Sequence, residues 1–134
     1  MNIYNDIKYI NEPELIQGQY LIYVLENSDG DIKIGISKHI EDRLRSLTGS
    51  NSAGKTITKI AISEPTYLRT IETNAHNHFN PARIEGEWFN GKIITFEDVI
   101  FYIDSIFNSD RYPILNSMRK KYSYSKRNKD GLKA

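Results

Sequence analysis

The chain contains no cysteine among its 134 residues. Disulfides and thiolate metal sites are excluded at once, so any bound ion must draw on Asp, Glu, His and water, a donor set that favours a hard cation. Long apolar runs are missing as well. The first apolar stretch, Tyr20 to Leu25, falls far short of the roughly 20 residues that span a bilayer, and it lacks the basic flank and small-residue cleavage site of a secretory signal. No membrane association and a cytoplasmic location are the expectation. Strong compositional bias is also absent: 39% apolar and 26% charged residues argue against disorder. No internal repeat is visible, and the length fits one domain.

What the chain does have is an uneven distribution of charge. The net value is only +1, yet in the last sixteen residues Arg119, Lys120, Lys121, Lys126, Arg127, Lys129 and Lys133 face Asp130 alone, a balance of +6 that leaves −5 on residues 1–118. A basic tail with Tyr122 and Tyr124 among its charges suits a phosphate backbone, releasing counterions and stacking on bases. A solubilising terminus is the plain alternative. The expected division is an N-terminal extension over 1–19, a folded domain over 20–110 and a basic tail over 111–134.

The pattern inside the domain is α+β, with a small, mainly antiparallel, three-stranded sheet flanked by helices. Tyr20 to Glu26 and Ile32 to Ile36 read as strands around the turn residues Asn27 to Asp31, a β-hairpin. Ser37 is placed to cap a helix carrying Ile40, Leu44 and Leu47 and ending near Thr48-Gly49, with Glu41 and Asp42 at its positive N-terminus. Thr56 to Ile62 predicts a third strand, with Ile57, Lys59 and Ala61 on one face and Thr58, Ile60 and Ile62 on the other. A second helix is expected from Glu64-Pro65 to Phe79, bearing Leu68, Ile71 and Ala75, and Pro81 ends it. Arg83 to Phe89 reads as a loop or short strand, and Phe96 to Phe107 as a third helix with Glu97 and Asp98 in its first turn.

Leu21-Ile22-Tyr23, Lys33-Ile34-Gly35, Arg43 and Glu72, in this order and spacing, resemble the GIY-YIG nuclease superfamily. The string Lys33-Ile34-Gly35-Ile36-Ser37, Glu72 four residues before His76, and Gly86-Glu87-Trp88-Phe89 resemble the branch spread through phages, bacteria and fungi, that of meiotically up-regulated gene 113. A match at four separated sites is far more specific than any single piece. The resemblance implies catalytic roles for Tyr23, Lys33, Arg43 and Glu72, with Glu72 as ligand of one Mg2+ or Mn2+ ion. It departs at Lys33, where the family more often has tyrosine.

The residue types suit phosphodiester hydrolysis, which needs a positioned water, charge neutralisation and help for the leaving oxygen. Glu72 can hold one divalent ion whose other positions go to water and phosphate. Arg43 stays charged and offers paired donors to a phosphate. Tyr23 is a candidate relay or general base, but a phenol of pKa about 10 requires a nearby cation, for which Lys33 and the metal are candidates. Lys33 can replace the tyrosine, tune Tyr23 or bind phosphate. Against these stand the ordinary readings: a core strand tyrosine, an exposed lysine and solvated helix charges.

Gly35, His76 and Glu87 are the expected supporting residues. Gly35 lets the strand end near a substrate backbone or serves as a turn glycine. His76 shares a helix face with Glu72, within reach of the metal, the phosphate or the carboxylate. Glu87 is a contact to substrate or to the site residues, and Asn80 a polar residue following the metal-binding helix. His39 and His78 default to the surface, and Trp88 and Phe89 to sheet packing. Arg45, Lys55, Arg83, Arg119, Lys120, Lys121, Lys126 and Arg127 are the expected nucleic-acid contacts. The function expected is a metal-dependent endonuclease that cuts or nicks DNA, with RNA left open. So small a domain needs the tail, the loop from Asn51 to Lys55, a homodimer or a partner protein to read a long sequence. Two rivals are a catalytically inactive nucleic-acid-binding module of the same fold and a protein-interaction factor of phage or host defence.

Overall fold

Two stretches rich in β-branched and aromatic residues, Leu21–Asn27 (β2) and Ile32–Ser37 (β3), pair antiparallel from Leu21↔Ser37 to Glu26↔Ile32. Gly30 closes their connection at φ 84°, in the left-handed region that glycine enters without strain. The computed structural model describes residues 1–50 and 55–132, the side chains of 48–50 and 123–132 excepted.

Around this hairpin lie Asn2–Tyr4 (β1), Ile40–Ser50 (α1), Ile57–Ile62 (β4), Thr70–His78 (α2), Arg83–Glu85 (β5), Trp88–Phe89 (β6), Phe96–Phe107 (α3) and Tyr112–Leu132 (α4). Every strand pairing is antiparallel, and the order across the sheet is β1-β4-β2-β3-β6-β5. The α+β class therefore stands, but the sheet has six strands, not three. The additional strands are only two or three residues long and complete the two edges, so no periodic pattern announces them.

The sheet buries both faces. Ile22, Val24, Ile34 and Ala61 pack against Ile71 and Ala75 of α2 and Phe96, Val99 and Ile103 of α3. On the other face Leu21, Tyr23, Leu25, Ile60 and Ile62 pack against Ile40 and Leu44 of α1 and Ile10 of the N-terminal segment. A sheet covered twice explains why β2 is apolar along its length instead of alternating. Ile57 sides with Ile60 and Ile62, not with Ala61 as strict alternation requires, because the β2–β4 register shifts between Glu26 and Asn27.

Helix boundaries differ where long-range partners intervene. The third helix occupies Phe96–Phe107 as expected, held by a reciprocal capping box between Thr95 and Asp98. The second starts at Thr70 instead of Glu64, because Thr66 exchanges both of its backbone hydrogen bonds with Tyr20 and its hydroxyl accepts from the Leu68 N–H. The segment 111–134, read as a tail, is helical as α4 up to Leu132. Among the described residues no helix is long and apolar enough to cross a membrane.

Candidate active site

Tyr23 sits opposite Gly35 in the β2–β3 register. A Cβ added at Gly35 would overlap the Tyr23 hydroxyl and Cζ and come within 2.8 Å of Cε1. The glycine is thus neither a strand end nor a turn. It is a mid-strand gap that lets the phenol lie flat across β3. Tyr23 is fully buried, and among the described residues its hydroxyl has no hydrogen-bond partner.

Lys33 lies two residues before Gly35 and so on the same face of β3. It is 8% exposed, and its ammonium ion-pairs with Glu87 Oε2 at 2.9 Å. Its Nζ also stands 5.6 Å from the centre of the Trp88 ring, the residue paired with it across β3 and β6. Beyond Lys33 β6 has ended, and the edge of β3 is finished by two separate contacts. The Ile34 N–H donates to the Glu87 carbonyl at 3.1 Å, and His76 Nε2–H donates to the Ile34 carbonyl at 2.8 Å.

Arg43 reaches this edge from α1, whose Ile40 and Leu44 are fully buried against the Tyr23 face. The N-terminus of α1 is not capped by Ser37. That hydroxyl accepts from the His39 N–H, one residue too early, and the carboxylate of Glu12 accepts from the Ile40 N–H at 2.6 Å. The N-terminal segment therefore anchors the helix that carries the guanidinium.

Glu72 comes from the opposite side of the sheet. Its neighbour Ile71 is buried against the sheet, and the turn of α2 carries Glu72 round toward the β3 edge. Its Oε2 is buried without a hydrogen-bond partner among the described residues. Burial pushes the carboxyl above the ordinary carboxylate range, the Glu87 charge adds to this, and His76, Arg69 and Lys33 oppose it. The Tyr23 phenol is likewise raised, chiefly by burial and then by the charges of Glu87 and Glu72. Arg43 pulls the phenol down, and its own pKa rises beside that hydroxyl. The guanidinium acts on the phenol at close range, although among the described residues the hydroxyl has no partner of full hydrogen-bond geometry.

Tyr23, Arg43, Glu72 and Glu87 thus lie within electrostatic reach of one another, and Lys33 joins them through Glu72 and Glu87. His76 belongs to the wall of this site: its Nε2 proton is spent on the strand, which removes that nitrogen as a metal ligand. Among the described residues no group of three or more His, Asp or Glu side chains is placed to hold an ion. The orphaned Glu72 oxygen fits a hard cation that takes one protein ligand and fills its remaining positions with water and phosphate. It does not fit an all-protein cage.

The other basic residues scatter. Lys55 pairs with Asp29 at 2.9 Å on the hairpin turn, and Arg45 lies 3.8 Å from Glu41 on α1. Arg83 holds its guanidinium 5.4 Å from the Phe89 ring at the far sheet edge. Arg119, Lys120 and Lys121 are exposed on α4, while the side chains of Lys126 and Arg127 lie outside the described residues. Asn80 is exposed, and His78 stacks on Tyr102 at 4.1 Å. Sequence reading missed Glu12, whose partner is 28 residues away, and Arg69, which the i−3 spacing from Glu72 could have revealed.

Residues 20–106 match the family model described as the T5orf172 domain. No curated protein and no solved structure matches the chain.

Proposed function

The chain belongs to the T5orf172 domain family, and from that premise and the site at the β3 edge we propose that it is a GIY-YIG-type, metal-dependent endonuclease that cuts or nicks DNA. The observation that carries this reading is a pair of buried oxygens without partners, Tyr23 OH and Glu72 Oε2, beside the exposed guanidinium of Arg43. Leaving such groups unpaired costs folding about 1–3 kcal/mol each, a cost that a bound ligand would relieve.

A divalent cation on Glu72, Mg2+ or Mn2+, supplies charge neutralisation at the phosphate and the leaving oxygen. The remaining work falls to the chain's own groups. Arg43 meets the phosphoryl oxygens and stabilises the negative charge that grows on them during attack. The Tyr23 hydroxyl accepts a hydrogen bond from the attacking water and orients it. Its raised pKa keeps the phenol protonated at neutral pH, which favours relay of a proton over a standing phenolate. Lys33 brings a second positive charge, and Glu87 fixes its ammonium at one point of the groove.

Purified protein is expected to nick supercoiled plasmid in Mg2+ or Mn2+ and to lose this activity in Glu72→Ala and Arg43→Ala. Binding without cleavage by the unaltered chain would replace the reading with a catalytically inactive DNA-binding module. The Lys33–Glu87 pair favours that second reading, because it ties up the side chain at the position where the family more often has tyrosine.

A further inference from the structure

We propose that Tyr20, Lys38 and Arg69 form a subsite for the stretch of DNA strand that flanks the phosphate to be cleaved, an inference that rests on the nuclease reading above. Tyr20 is clamped by Thr66 in both directions: its N–H donates to the Thr66 carbonyl at 2.7 Å, and the Thr66 N–H donates back at 2.9 Å. The ring is a fixed platform at the entrance to β2, three residues from Tyr23. Two cations gather over it, Lys38 Nζ at 5.0 Å and Arg69 Cζ at 5.7 Å from the ring centre.

Both cationic side chains are exposed. Among the described residues neither has a carboxylate within ion-pair distance, whereas Lys33, Arg45, Lys55 and Lys59 each have one. In a body that carries −5 over residues 1–118, two cations left without acidic partners and drawn to one aromatic ring stand out. Neither charge is neutralised by a carboxylate, the ring's negative face attracts both, and an anion would be drawn by the two cations together. A phosphodiester supplies that anion, and the nucleotide attached to it supplies a flat surface for the phenol.

The position ties the subsite to the rest of the molecule. On one side, the charge of Arg69 reaches Glu72. On the other, Asn116 Oδ1 accepts from the Tyr67 N–H at 2.8 Å and the Thr66 hydroxyl at 3.2 Å, which fastens α4 to the loop that clamps Tyr20. Arg119 follows Asn116 by three residues, one turn along the helix. The same segment thus links Tyr20 and Arg69 to Glu72 on one side and to the basic helix on the other.

The test is fluorescence anisotropy of the full chain with a labelled single-stranded DNA oligonucleotide in EDTA, where the strand stays intact, titrated across a range of salt. Lys38→Gln combined with Arg69→Gln is expected to weaken binding at least about tenfold and to flatten the log K against log salt slope by about 1.4. Tyr20→Leu is expected to weaken it about fivefold or more with the slope unchanged. Lys38→Arg, which keeps the charge, is expected to retain binding, and melting curves identify any variant that has lost its fold. Wild-type affinity and slope in a folded Lys38→Gln/Arg69→Gln chain would overturn the subsite even if the plasmid is nicked. The expected losses in a chain that never nicks would uphold the subsite and reject the nuclease reading. Absence of binding by the unaltered chain would overturn the subsite, while the nuclease reading stands or falls on plasmid nicking with divalent ion.

Discussion

The Tyr23 ring occupies the space that a side chain at Gly35 would need, directly across the β2–β3 pair. Tyrosine and glycine are thus one unit, and neither is free to change alone.

Gly35→Ala is expected to destabilise the protein by about 1–3 kcal/mol, because the added methyl meets a ring that is walled in on its other side by Leu44 and Ile40. Urea denaturation measures this. Combining it with Tyr23→Ala should remove most of the clash, so the two substitutions are expected to be strongly non-additive in stability, while plasmid nicking stays lost. Simple additivity would show that the ring does not lie across the strand.

Glu72→Gln is expected to raise the melting temperature at neutral pH while abolishing nicking. Burial holds the folded-state pKa of Glu72 above the ordinary carboxylate range, so its neutral form is the one folding favours. The stabilisation that protonation brings is present at low pH and is lost as pH rises through the folded pKa. The variant's advantage should therefore vanish in acid and open as pH climbs past the carboxylate range. Added Mg2+ or Mn2+ should raise the melting temperature of the wild type more than that of the variant. An equal rise in both would remove Glu72 as the ligand.

Glu12→Ala is expected to cost about 1 kcal/mol, the usual worth of an N-cap, and to slow nicking by loosening the helix that carries Arg43. Glu12→Gln, which keeps an acceptor oxygen, should recover most of the stability. Thermal melts beside single-turnover nicking decide it: full activity in a folded Glu12→Ala chain would show that Arg43 needs no such anchor.

How much of this was legible beforehand depended on the range of the interactions involved. The hairpin and the helix Phe96–Phe107 were readable because their signals are local: alternation, a turn glycine, and a capping residue three positions before its acid. The start of α2 was misread because a tertiary bridge from Tyr20 takes the backbone groups a helix would have used. β1 left no signal, and Arg83 to Phe89 read as a loop or short strand without its division into β5 and β6, because so short a strand exists only through its neighbour. At the site, resemblance singled out Tyr23, Arg43 and Glu72. Lys33 and Glu87 were each noticed, but their 2.9 Å pairing across 54 positions was not. Gly35 was misjudged, since the reason for a glycine there stands on the opposite strand.

Fastening α4 at Asn116 makes the basic segment a measuring rod. At 1.5 Å per residue the backbone from Asn116 to Leu132 extends about 24 Å from its pivot, roughly the axial length of seven stacked base pairs. Charge on a loose tail would sample every direction at once. Charge on a rod samples an arc, and adding a single residue just past the pivot would swing everything beyond it by about 100°.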